Sequence, residues 1–262
     1  MQKSQLRFAC RPIGLLLTLV VAAVVTTSAP SAQRDLPVPF KVGETLTFDV
    51  SWTTFLSAGT ATMSVLERRP GAAGRNAYYL VAEGKPSAML GKLYSLYYKA
   101  ESMLDTRTLL PSLATIYSDE GGRKRYKTTK FNGNGSVQYE VKTSTTATST
   151  ITAPKAAQDP LGAIYILRSL PLKAGMKVPP IPVIDSGKAY TMGIRVGGLE
   201  SVKSGLGTMQ ALKLSMTMTD GTGKQEGGFS LWLSDDARRL PLKISAGLAV
   251  GTVHLTLAKV GG

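Results

Sequence analysis

A chain of 262 residues with 31 Lys and Arg against 17 Asp and Glu carries a formal net charge of +14, and 43% of it is hydrophobic. That length supports a sizeable core without disulfides. One cysteine and one histidine exclude a disulfide framework and nitrogen- or sulfur-rich zinc sites.

Residues 1–12 hold Lys3, Arg7 and Arg11 and no acid, and residues 13–25 are almost purely aliphatic. This is the two-part build of a secretory signal. The apolar run is shorter than the roughly 20 residues a spanning helix needs, and it breaks at Thr26, Thr27 and Ser28 before Pro30. Small residues at Ala29, Ser31 and Ala32 predict cleavage near residues 31–33. The expectation is a bacterial protein exported to the periplasm, with residues 1–32 as signal peptide, 33–42 as a lead-in and 43–260 as one β-rich domain. Cys10 precedes the apolar run, so it is not a lipid-bearing cysteine. Loss of Lys3, Arg7 and Arg11 leaves 28 cations against 17 acids, a net +11. An exported basic protein meets anionic glycans and lipid headgroups rather than nucleic acid.

Leu46, Phe48, Val50 and Trp52 alternate with Thr45, Thr47, Asp49 and Ser51, the pattern of a strand with one buried face. Similar strands are predicted at 60–67, 77–83, 94–103 and 113–119. Pro70-Gly71, residues 119–122 and Asn132-Gly133-Asn134-Gly135 supply the turns, the last a tight hairpin because Asn and Gly accept positive φ. Between them Arg123, Lys124, Arg125, Tyr126 and Lys127 form a basic strand, with Arg123, Arg125 and Lys127 on one face. It is either an edge guarded by charge or an anion-facing patch. Strands continue at 136–143 and through the threonine-rich 143–152.

Asp159-Pro160 offers an N-cap and a proline at the first helical position; Leu161, Ile164, Tyr165 and Arg168 then recur at helical spacing. One short helix is predicted, at 160–170. Residues 178–182 are too rich in proline for a central strand. Strands resume at 188–196, 207–219, 227–234, 240–246 and 250–260, while Gly197-Gly198 and Gly227-Gly228 read as strand-end turns. The fold class is mainly β: an antiparallel, strongly curved sheet or open or partly closed barrel, its two halves joined by residues 155–185.

Three stretches carry a resemblance: Gly43-Glu44-x-Leu46-x-Phe48-x-Val50-x-Trp52, then Asp159-Pro160-x-x-x-Ile164-Tyr165-x-Leu167-Arg168, then Trp232-Leu233-Ser234-Asp235-Asp236-x-x-Arg239-Leu240-Pro241. In order and spacing they resemble the bacterial family known as domain of unknown function 3108, over about residues 40–258. The resemblance implies exported β-rich architecture and no catalytic residue.

The residues themselves favour binding over catalysis. His254 sits opposite Val253, Leu255 and Leu257 as a polar strand residue, and no G-x-S-x-G elbow, P-loop or dinucleotide fingerprint occurs. No catalytic residue, metal site or cofactor is predicted. One short helix does not roof so many strands, so the sheet either closes on a packed interior or leaves a groove. A groove would be lined by Leu46, Phe48, Val50, Trp52, Met63, Leu231 and Leu233 and would hold an apolar or lipid-like ligand. The alternative is an envelope assembly protein holding an anionic glycan or envelope protein, and a third reading is a two-carboxylate glycoside hydrolase. Asp235-Asp236-x-Arg238-Arg239 reads as a turn in which Asp accepts amides and Arg pairs with a neighbouring carboxylate. Its functional alternative is a polar rim of Arg168, Asp235, Asp236 and Arg239, with Arg168 paired to Asp235 or Asp236.

Overall fold

Alternation sets the strands as expected. In β1 (Thr45–Trp52) Leu46 and Phe48 are fully buried and Asp49 is exposed. The computed structural model describes residues 34–52, 55–248 and 251–262; the expected signal peptide lies outside the described residues. From β1 the chain runs through β2 (Phe55–Pro70), β3 (Asn76–Pro86), a six-residue helix α1 (Ala88–Leu93), β4 (Leu96–Asp105) and β5 (Pro111–Glu120). It continues through β6 (Arg123–Phe131), β7 (Ser136–Lys142), β8 (Thr146–Thr152) and α2 (Pro160–Ser169). The second half is β9 (Ile181–Asp185), β10 (Lys188–Ser204), β11 (Gly207–Thr219), β12 (Gln225–Ser234), β13 (Pro241–Leu248) and β14 (Gly251–Gly261).

Among the described residues these strands form one 14-stranded antiparallel sheet in the order β8 to β1, then β14 down to β9. From β1 in mid-sheet the chain therefore meanders to one edge, crosses by α2 to the opposite edge, and meanders back until β14 pairs with β1. The sheet is open, with β8 and β9 as edges, yet it rolls far enough for the two halves to touch. Lys127 Nζ of β6 donates to Ser186 Oγ after β9 at 2.8 Å, and Val137 of β7, Ile184 of β9 and Ala157 share a buried cluster. Register shifts such as those at Val65/Glu67 and Met103/Leu104 supply part of the bend, since a bulge increases local twist.

The roll wraps α2. Its Leu161, Tyr165 and Leu167 join one core with Leu46, Phe48, Met63, Leu80, Leu104, Leu214, Leu231, Leu233 and Leu257. Asp159 caps the helix as predicted, Oδ1 accepting from the amides of Leu161 at 2.9 Å and Gly162 at 3.0 Å, while Ser102 Oγ of β4 donates to Oδ2 at 2.6 Å. Gly162 is needed for this contact: a Cβ there would lie 2.8 Å from Asp159 Oδ2 and 3.2 Å from Gln158 Oε1. Alanine in place of glycine ordinarily stabilises a helix by about 1 kcal/mol. Here Gly162→Ala is expected to destabilise by about 1–3 kcal/mol through overpacking, read as a lower urea midpoint; an unchanged or raised midpoint would contradict the contact.

Two expectations are corrected. The single predicted helix is joined by α1, in the stretch between the strands predicted at 77–83 and 94–103, and the second of these begins at Leu96 rather than at residue 94. Gly197-Gly198 and Gly227-Gly228 are not strand-end turns: the first pair sits at the bulge between Val196 and Leu199 inside β10, and the second lies within β12. Beyond that bulge the β10–β11 hairpin reaches back to β14, where the Gly205 amide donates to the Leu257 carbonyl at 2.7 Å. Glu200 meanwhile accepts from Trp232 Nε1 of β12 at 2.7 Å.

Candidate functional site

An apolar-lined cleft lies where three connections meet: the β4–β5 turn, the β6–β7 turn and the segment between β8 and α2. Each is shaped by local chemistry. Asp105 Oδ1 collects the amides of Arg107 at 3.0 Å and Thr108 at 2.8 Å, turning the chain tightly. Asn134 Oδ1 accepts from the Ser136 amide at 3.0 Å in the predicted hairpin. The Ala153 amide donates to the Gly135 carbonyl at 2.8 Å, holding the third segment against the second. The cleft between them has a volume of about 540 Å³, and its apolar wall includes Leu110, Phe131, Val137, Ala153, Pro154 and Ala157.

Gln158 sits behind this cleft, fully buried. Its backbone bridges to β9, the amide donating to the Pro182 carbonyl and the carbonyl accepting from Ile184, both at 2.8 Å. Its Nε2 donates to the carbonyls of Leu109 at 3.3 Å and Ala156 at 3.5 Å. Both those residues hold left-handed backbone, φ 53° and 60°, a conformation that costs a non-glycine residue about 1–3 kcal/mol and concentrates at ligand clamps and switch regions.

At the cleft margin Arg75 Nε pairs with Asp105 Oδ2 at 2.6 Å. Burial pushes the Asp105 carboxyl up, but Arg75 and the amides and hydroxyl of the turn outweigh it and leave it below the usual carboxylate range. Lys155 stands exposed on the same margin.

The residues singled out from sequence lie elsewhere. Leu46, Phe48, Met63, Leu231 and Leu233 are closed within the core, and Val50 and Trp52 are half-buried. None of these seven lines the 540 Å³ cleft. Among the described residues the five buried ones pack with Leu161, Tyr165 and Leu167 of α2 rather than line a groove, because α2 and the rolled sheet cover the apolar face together.

Arg168 is not a rim group and does not pair with Asp235 or Asp236. Its side chain is fully buried and binds Glu44 bidentately, at 2.7 and 3.1 Å. Nε and Nη2 also donate to the carbonyls of Arg239 at 3.2 Å and Arg238 at 3.3 Å. The ring centroids of Tyr165 and Phe40 lie 5.3 and 5.5 Å from the guanidinium carbon. One cation thus joins α2, the approach to β1 and the β12–β13 turn. Asp236 Oδ1 accepts from Ser234 Oγ and the amides of Arg238 and Arg239. Asp235 meets Arg239 at 3.5 Å. The predicted turn therefore forms, and the pairing rim does not.

In the basic strand Arg125 pairs with Glu120 at 3.5 Å and Lys127 reaches Ser186, while Arg123 and Lys124 are exposed. His254 of β14 lies between Ser51 and Ser245 in register, and burial, then Lys243, lowers its pKa. Asp159 is pushed up by complete burial, against the Ser102 hydroxyl and the helix amides.

An open antiparallel sheet rolled around one helix, with a cleft at one end, defines a β-barrel-like protein. The chain belongs to the family described as protein of unknown function DUF3108, whose model matches residues 47–258. No curated relative matches the sequence. Among solved structures it is similar to a β-barrel-like protein of domain of unknown function DUF1849 from Brucella abortus, at 11% identity and TM-score 0.54, covering 84% of this chain and 97% of that one. At that identity the likeness is one of fold. Looser matches are a candidate lipoprotein from Parabacteroides distasonis, at 9% identity and TM-score 0.34 over 87% of this chain and 100% of that one. A candidate exported protein with a YmcC-like fold from Bacteroides fragilis matches at 8% identity and TM-score 0.34, again over 87% and 100%.

Proposed function

We propose that the protein is exported to the periplasm and binds, without catalysis, a small apolar ligand with an anionic head in the end cleft. The observation that carries this reading is the Gln158 clamp behind the cleft. One buried amide holds the carbonyls of two left-handed residues, Leu109 and Ala156, beside an apolar-lined space of about 540 Å³. That volume falls in the range of small-molecule sites. Arg75 and Lys155 stand at its margin, where they would meet an anionic head rather than an apolar tail. The signal peptide predicted over residues 1–32 supports the compartment, and the cleft, rather than the sheet interior, offers the space for a lipid-like ligand.

The test is titration with a dansylated fatty acid. Ala153→Trp fills the cleft from a position whose backbone bond to Gly135 it leaves intact, and is expected to weaken probe binding at least 10-fold with unchanged circular dichroism. Equal affinity in wild type and variant, or no binding by either, overturns the proposal.

A further inference from the structure

Away from the cleft, at the opposite end of the sheet, apolar side chains stand in solvent beside unpaired cations. α1 and the residues after it carry them: Met89 is 61% exposed, Tyr94 53%, Leu96 36% and Tyr98 41%. The β5–β6 turn lies alongside. The Gly121 amide donates to the Ser95 carbonyl at 2.8 Å, and the Tyr94 ring packs so closely that a Cβ on Gly121 would meet it at 2.8 Å. Register then sets the cations among the apolar groups. Leu96, Glu120 and Arg123 are cross-strand neighbours, as are Tyr98, Ser118 and Arg125.

The charges at this end do not cancel. Glu120 is taken up by Arg125 and the Tyr98 hydroxyl, and Asp119 accepts the Gly122 amide in the turn at 3.0 Å. Lys92, Arg123 and Lys124 have no ion-pair partner among the described residues and are exposed. β6 begins at Arg123 but pairs with β7 only from Tyr126, so the cationic residues sit on a hairpin that projects past its neighbour.

We infer that this end docks peripherally on a bilayer containing anionic lipid, Met89, Tyr94 and Leu96 entering the interface while Lys92, Arg123 and Lys124 meet headgroup phosphates. A groove lined by apolar groups would fit a peptide; here they protrude from a turn and are collared by cations, which suits a deformable anionic surface. Tyrosine is favoured at membrane interfaces, and an apolar face with a basic border binds in proportion to its buried area and the anionic charge it meets. No helix among the described residues is long and apolar enough to cross a membrane. The surface is separate from the cleft, so the inference does not depend on the ligand proposed above.

The experiment is co-sedimentation of the protein, purified from its own cells, with vesicles of phosphatidylcholine alone or with about 30 mol% phosphatidylglycerol. Binding is expected only to the anionic vesicles and is expected to fall as salt is raised. Arg123→Gln with Lys124→Gln should weaken it about 25-fold, at about fivefold per cation. Met89→Trp should bring its indole fluorescence under quenching by brominated acyl chains. Binding that ignores headgroup charge and the double substitution overturns the inference, as does an indole at residue 89 that is never quenched. Salt-sensitive retention of an envelope protein in place of vesicles would also overturn it, assigning the surface to a protein partner.

Discussion

Arg168→Ala is expected to lower stability by about 3–5 kcal/mol, because it strands the Glu44 carboxylate in the interior without its partner. The side chain is buried completely, it satisfies Glu44 with two bonds and it closes the carbonyls of Arg238 and Arg239. In a unit of this size each kcal/mol shifts Tm by about 2–4 °C, so the loss is readable by thermal and urea unfolding. Glu44→Ala strands the opposite charge and should cost a similar amount. The double variant Arg168→Met, Glu44→Leu is expected to recover most of the loss, since well-packed apolar residues often replace a buried ion pair at no cost. If the two single substitutions proved additive, and each cost under about 1 kcal/mol as exposed pairs do, the pair would not be joining these elements.

Phe48→Ala should be the second severe change. Phe48 is fully buried in the cluster that contains Leu231, Leu257 and α2, and truncating such a phenylalanine costs about 3–5 kcal/mol in lost transfer and an unfilled cavity. The measurement also separates two pictures of the interior. In a packed interior the urea midpoint falls and affinity of the remaining folded protein for the fatty-acid probe is unchanged. In a ligand groove lined by Phe48 stability would change little and probe binding would collapse. The second pattern would restore the groove expected from the strand pattern and displace the end cleft.

Much of the fold was legible because it rests on short-range rules. Alternation over residues 46–52 marks β1, Asn and Gly between two β-prone runs mark the β6–β7 hairpin, and Asp159-Pro160 marks the start of α2. The Asp235-Asp236 turn was also readable, since an Asp side chain reaches amides two or three residues on. α1 was not: six residues are too few to establish a helical period, and Ser87, whose hydroxyl accepts the Leu90 amide at 3.4 Å, precedes only one and a half turns or so of helix. The full length of β10 is not legible either, because two adjacent glycines, Gly197-Gly198, signal a turn and a bulge equally well.

The candidate site was legible only in its pieces. Asp105, Asn132 and Ala156 lie in three connections, and no spacing within any of them announces the other two. The same holds for the ion pair. Glu44 and Arg168 are separated by 124 positions, and although both stand in the motifs that carry the family resemblance, no spacing pairs them; the expected partners, Asp235 and Asp236, were also remote from Arg168 in sequence. The exposed patch was seen in half: the basic run is contiguous from Arg123 to Lys127, but its apolar companions arrive from the β3–β4 connection.

By itself, then, the order of residues determined which segments are strands, where most of them turn, which side of each is apolar and where the main helix begins, because each depends on groups within a few positions of one another. Only the tertiary structure decided that β1 lies mid-sheet, that α2 packs into the roll against the residues expected to line a groove, that Arg168 answers to Glu44, and that three turns converge on a cleft. Those outcomes depend on which distant surfaces meet. Apolar burial drives surfaces together without direction, so the pairing is chosen by the shape of the whole rather than by any local pattern.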